Sequence, residues 1–172
     1  MWQRFELDPG RSEVRVVAQS SLHPIEATAK SVTGSFVATI NKNDEVELPR
    51  GREAAGSLRI ESSEFHSGNP LLDRETRRRL DTRRHPTIEG VLTGATATAG
   101  GYLLRGEVTC MGVTREVRGE VRLEARDGTI ALHGSHGFDI RDWGIKPPRL
   151  LALKVHPDVE VQLQAVAIEV DG

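Results

Sequence analysis

Apolar and polar residues alternate along most of this chain, and glycine repeatedly stands where the apolar phase calls for bulk. In Val117-Arg118-Gly119-Glu120-Val121-Arg122-Leu123-Glu124-Ala125, one phase holds valine, leucine, alanine and Gly119, and the other is wholly charged. A period of two marks a strand with one dry and one wet face. Gly34, Gly106 and the pair Gly90 and Gly94 take the dry phase of three further runs. Two readings are open. Glycines inside a closed sheet leave it unfilled, so that it encloses an apolar cavity. Alternatively, they mark bulges and corners where backbones approach closely. Both require a strongly curved sheet.

Strand-like runs cover Gln3–Asp8, Glu13–Ser20, Val32–Asn41, Gly56–Ser62, Thr87–Ala97, Tyr102–Cys110, Thr114–Arg126, Thr129–Gly137 and Asp158–Val170. Turn residues separate them, and Asp127-Gly128 and Gly100-Gly101 are hairpin signals between alternating runs. Many strands joined by short turns imply an antiparallel meander. One segment departs from the pattern. Asn69 is a good helix N-cap, Pro70 suits the first helical position, and Leu72, Thr76, Arg79 and Leu80 then fall on one stripe, which predicts a helix over 70–81. A helix there is placed to lie across a barrel mouth or flank.

The 172 residues are read as one domain, 1–172, long enough to bury a core. A net charge of -2 argues against nucleic acid as a partner, since such binders are normally basic. No apolar run reaches the ~20 residues of a membrane span. The chain opens directly into a strand pattern without a secretory leader, and its lone Cys110 cannot form an internal disulfide, so a cytoplasmic setting is expected. Cys110 lies on the apolar phase beside Val108 and is read as a buried small hydrophobe. The histidines lack metal-ligand spacing, and neither a phosphate loop nor a nucleophile elbow is present, so no metal, cofactor or catalytic residue is assigned. Arg77-Arg78-Arg79 with Arg83-Arg84 reads as a solvated helix face, or else as a contact for an anionic head group or acidic membrane surface.

Five motifs in order carry a resemblance to a family. They are Phe5-Glu6-Leu7-Asp8-Pro9 with Ser12-Glu13-Val14, Val32-Thr33-Gly34-Ser35-Phe36, Asp81 through His85-Pro86-Thr87-Ile88, Leu104-Arg105-Gly106 through Gly112-Val113-Thr114-Arg115, and Ile140-Arg141-Asp142-Trp143-Gly144-Ile145. Over nearly its whole length the chain resembles the YceI-like, polyisoprenoid-binding proteins. The resemblance implies an all-β fold, an eight-stranded antiparallel lipocalin-like barrel with one short helix. It also implies an isoprenoid or other long-chain lipid held in an apolar lumen. Aromatic residues are only 4% of the chain, so the walls would be aliphatic, which suits a flexible alkyl or prenyl chain.

The expected lumen residues are Val14, Val16, Phe36, Ile60, Ile88, Leu92, Leu104, Val108, Val121, Leu132 and Phe138, all on the apolar phase of their strands. His136 shares that phase, either as a hydrogen-bonded core histidine or as a polar contact for a head group. Trp143 is either a plug at one barrel end or a packing anchor. Leu150-Leu151-Ala152-Leu153 is either a strand or an apolar edge for a homodimer or a transient membrane contact. The expected function is a carrier or sequestering protein. Its rivals are an isomerase or hydrolase using the same lumen, and an interaction module with a filled barrel.

Overall fold

The computed structural model describes residues 1–171. The strands in chain order are β1 (Gln3–Leu7), β2 (Glu13–Ser20), β3 (Ile25–Lys30), β4 (Thr33–Ile40), β5 (Val46–Glu47) and β6 (Gly56–Glu61). Helix α1 (Pro70–Leu80) follows. Then come β7 (Thr87–Thr98), β8 (Gly101–Cys110), β9 (Val113–Arg126), β10 (Thr129–Asp139), β11 (Arg149–Leu150) and β12 (Leu153–Val170). All pairings are antiparallel. Strands β1, β4, β6, β7, β8, β9, β10 and β12 follow one another around a ring, and β1 pairs with β12 to close an eight-stranded barrel. β12 is long enough to pair with β1 at its C-terminal end and β2 nearer its start, so the β2–β3 hairpin extends the wall at the end where α1 lies.

Local chemistry sets these boundaries. Asp127 and Gly128 both take positive φ, 52° and 77°, the conformation of the tight turn that joins twisted strands. The Asn69 side chain accepts from the Leu71 and Leu72 amides at 3.1 and 3.2 Å, capping α1. β12 starts at Leu153, before the run read from sequence, and takes Pro157 within a register irregularity between Val155 and Val159. β3 joins the sheet although its small alternating residues gave no clear sequence signal.

The apolar phase faces inward as expected, with one correction. Gly94 does not share the face of Gly90 and Leu92. A bulge between Leu92 and Gly94 shifts the register, so Gly94 pairs with Arg105 while Ala95 turns inward opposite Leu104. An extra residue in one strand reverses every later side chain. The main core gathers Phe5, Val32, Ala38, Ile130 and Ala167, with Phe5 and Phe36 stacked at 5.8 Å between ring centroids. A second cluster ties α1 to the wall through Leu72, Ala18, Leu153, Val155 and Val159.

Candidate ligand-binding lumen

The barrel is hollow. One cavity of about 340 Å³ lies at the end capped by α1, and another of about 280 Å³ lies further along the lumen. Both are walled by Leu58, Gly90, Val108, Phe138, Val161 and Leu163, so they meet at a common waist. The remaining walls are mainly aliphatic. Volumes of this size and lining suit a slender apolar chain.

The glycines divide between the two readings. A Cβ on Gly106 would stand 2.7 Å from the Val91 carbonyl oxygen, and one on Gly34 would run into that of Ser57. Those glycines permit close backbone approach. A Cβ on Gly119 would meet its nearest neighbour, the His136 side chain, at 3.5 Å, an ordinary contact, and one on Gly90 would meet Leu58 at 3.8 Å. These two line the cavities and leave space inside.

The structure places every expected lumen residue at a cavity wall. Val14, Val16, Ile60, Ile88 and Trp143 line the chamber beneath α1. Phe36, Leu92, Leu104, Val121, Leu132 and His136 line the other, and Val108 and Phe138 belong to both. Several lining residues are absent from the sequence-based set. Ile25 and Ala27 come from the unread strand β3, while Val161 and Leu163 lie on the legible apolar phase of β12. The helix contributes Leu72, Thr76, Arg79 and Leu80, the stripe expected for it.

One stretch relieves the closure of the wall. β9 and β10 pair from Arg126 and Thr129 as far as Glu120 and Ser135. Beyond that level β9 continues along β8 to Val113, and β10 continues along β12 to Asp139. Among the described residues no ladder joins β9 and β10 over that stretch, which leaves a seam with Val117 and Gly119 on one edge and His136 and Phe138 on the other. His136 is exposed there, edge-on to Phe138 at 5.1 Å, rather than buried as a core histidine. The seam ends where the Arg115 Nε donates to the Asp142 carbonyl at 2.9 Å. Trp143 anchors the same corner: it is buried, donates its indole N–H to the Val108 carbonyl at 3.0 Å, and stands edge-on to Phe138. On α1, Glu75 holds Arg78 and Arg79, each at 2.8 Å, and those guanidiniums, Arg78 first, keep its carboxyl below the usual range.

The Cys110 thiol lines the chamber beneath α1, and burial pushes its pKa up to about 11. It stays protonated at neutral pH and behaves as an apolar wall residue. No helix among the described residues is long and apolar enough to cross a membrane.

A family model for the YceI-like domain matches residues 5–167. This chain belongs to the YceI-like family. Solved structures with the same fold include BcnA of Burkholderia cenocepacia, with a TM-score of 0.75 at 16% identity over 93% of this chain and 98% of that one. A polyisoprenoid-binding domain from Saccharophagus degradans, implicated in plant cell wall breakdown, gives 0.72 at 12% identity over 96% and 98%. A Campylobacter jejuni YceI protein gives 0.60 at 10% identity over 81% and 82%. No curated protein matches this YceI-like chain by sequence.

Proposed function

We propose that this YceI-like protein binds a long-chain apolar amphiphile, a polyisoprenoid or fatty-acyl-like lipid, and carries or sequesters it with the tail in the lumen. The observation that carries this reading is the pair of aliphatic cavities that adjoin at the Leu58–Val108–Phe138–Leu163 waist. Each methylene moved from water into such walls gains about 0.8 kcal/mol, so affinity grows with tail length while ordering costs grow more slowly. Family membership and the polyisoprenoid-binding relative support the same class of ligand.

The lumen's polar groups support a carrier over an enzyme. Arg79 lines one chamber and His136 the other. Arg79 is already engaged by Glu75 and Glu89 by Arg59, while Arg105, Glu107, Arg118 and Glu120 at the wall are exposed on the outward strand phase. A reacting centre needs such groups converging on one point. Cys110, with its raised pKa, is a poor nucleophile at neutral pH. Native mass spectrometry of freshly purified protein tests the reading. A co-purified lipid, displaced competitively by a fluorescent prenyl or acyl analogue, is the expected result. Protein that takes up neither analogue refutes it.

A further inference from the structure

The turn between β11 and β12 has an unusual composition. Its six residues are Arg149-Leu150-Leu151-Ala152-Leu153-Lys154, with Arg149 opposite Lys154 and Leu150 opposite Leu153. Leu151 stands at the tip, 91% exposed, with left-handed backbone at φ 54°. Tips of this kind favour asparagine or glycine, and a leucine is strained there. So little of the side chain is covered that packing cannot offset the strain.

The residues behind the tip add a second unfavourable choice. Like charges opposite one another on a hairpin repel. Among the described residues, neither Arg149 nor Lys154 forms an ion pair. The neighbouring β2–β3 turn is bonded to this hairpin. The Ser21 hydroxyl donates to the Ala152 carbonyl at 2.7 Å and accepts from the Lys154 amide at 2.9 Å. That turn presents Leu22, 62% exposed. The two tips thus form one basic and apolar projection at the end of the barrel that α1 caps.

We propose that this projection docks the protein on an anionic lipid bilayer. Leu151 and Leu22 enter the interfacial layer, and Arg149 and Lys154 meet lipid phosphates. A bilayer fits better than a second copy of the chain. Isolated leucines on turn tips offer far less than the roughly 1,000 Å² of complementary surface a stable protein interface needs. Two facing cations would also oppose their own copies across a dyad, whereas phosphates complement them.

The test is co-sedimentation with vesicles of phosphatidylcholine alone or mixed with phosphatidylglycerol. The wild-type protein is expected to associate with the mixed vesicles, less so as salt rises, and much less with phosphatidylcholine alone. Arg149→Gln with Lys154→Gln, and separately Leu151→Asn, should each weaken association at least about fivefold. Leu151→Asn relaxes the turn, so its melting temperature should not fall and its loss of binding cannot be laid to unfolding. Absence of association, equal association with both vesicles, or unchanged binding by the variants overturns the proposal. So does a native-mass-spectrometry dimer abolished by Leu151→Asn. The measurement does not depend on lumen occupancy, so it stands or falls apart from the lipid-carrier reading.

Discussion

At the scale of single residues, two glycines on the same apolar phase do different work, and substitution separates them. Gly119→Leu places its side chain in lumen space against His136, where the first carbon meets only an ordinary contact. Its melting temperature should stay near wild type while uptake of a fluorescent lipid is lost. Gly106→Leu drives the Cβ against the Val91 carbonyl, and backbone cannot move aside without breaking the β7–β8 register. It should cost ~1–3 kcal/mol or fail to fold. Thermal melting and lipid displacement on the same samples check both, and a Gly119→Leu protein with normal uptake would remove that residue from the binding path. Cys110 supplies a pH prediction. Its pKa in the folded protein is about 11 against 9.0 for the unperturbed thiol, because burial disfavours the thiolate. Between those values the unfolded chain has released the proton and the folded chain has kept it. Stability contributed by the buried thiol is therefore fully present below pH 9.0 and is lost as pH rises toward about 11. Thiol labelling at neutral pH should be slow in the native protein and fast once it is denatured, and equal rates would contradict the burial.

At the scale of elements, α1 and the seam invite separate tests. Asn69→Ala removes the acceptor for the Leu71 and Leu72 amides and should destabilise the protein by about 1 kcal/mol, read as a shift in the denaturant midpoint. Amides that face the seam below Glu120 and Ser135 should exchange with solvent faster than those in the β9–β10 ladder above, a difference hydrogen exchange resolves by residue. The elements also show how far the sequence could be read. Alternation located the ring strands because each has one dry face, and Asn69-Pro70 located the helix. β3 escaped because Ile25, Ala27 and Ala29 make a faint apolar phase, and its burial comes from pairing with β2 and from α1's end of the barrel. Gly94 was misplaced because a bulge is a backbone event that leaves the residue pattern nearly unchanged. The cavity walls were legible wherever strand phase alone decides which side chains face in. The division of the lumen at its waist was not, because it depends on which strands lie across from one another. The seam was equally hidden, since Gly119 and His136 carry no mark of a ladder that stops between them.

At the scale of the whole molecule, closure links the chain's two ends. β1 pairs with the last residues of β12, so one ladder between the two ends of the chain closes the ring. The barrel is therefore completed by its most distant contacts in sequence, and the lumen exists only in the closed state. A lipid held there binds the native protein and has no comparable site on the unfolded chain. Its binding energy then adds to the stability of the entire ring. At a free lipid concentration about 100 times the dissociation constant, that gain is ~2.7 kcal/mol. For a chain of this size each kcal/mol moves the melting temperature by roughly 2–4 °C. Lipid stripped by organic extraction should therefore lower the melting temperature by roughly 5–11 °C, and restoring a prenyl or acyl amphiphile should return it. Gly119→Leu, whose side chain already occupies the lumen, should melt at the same temperature with or without added lipid. A shift that persists in that variant would mean the amphiphile stabilises the protein from outside, by coating the exposed turns rather than filling the barrel.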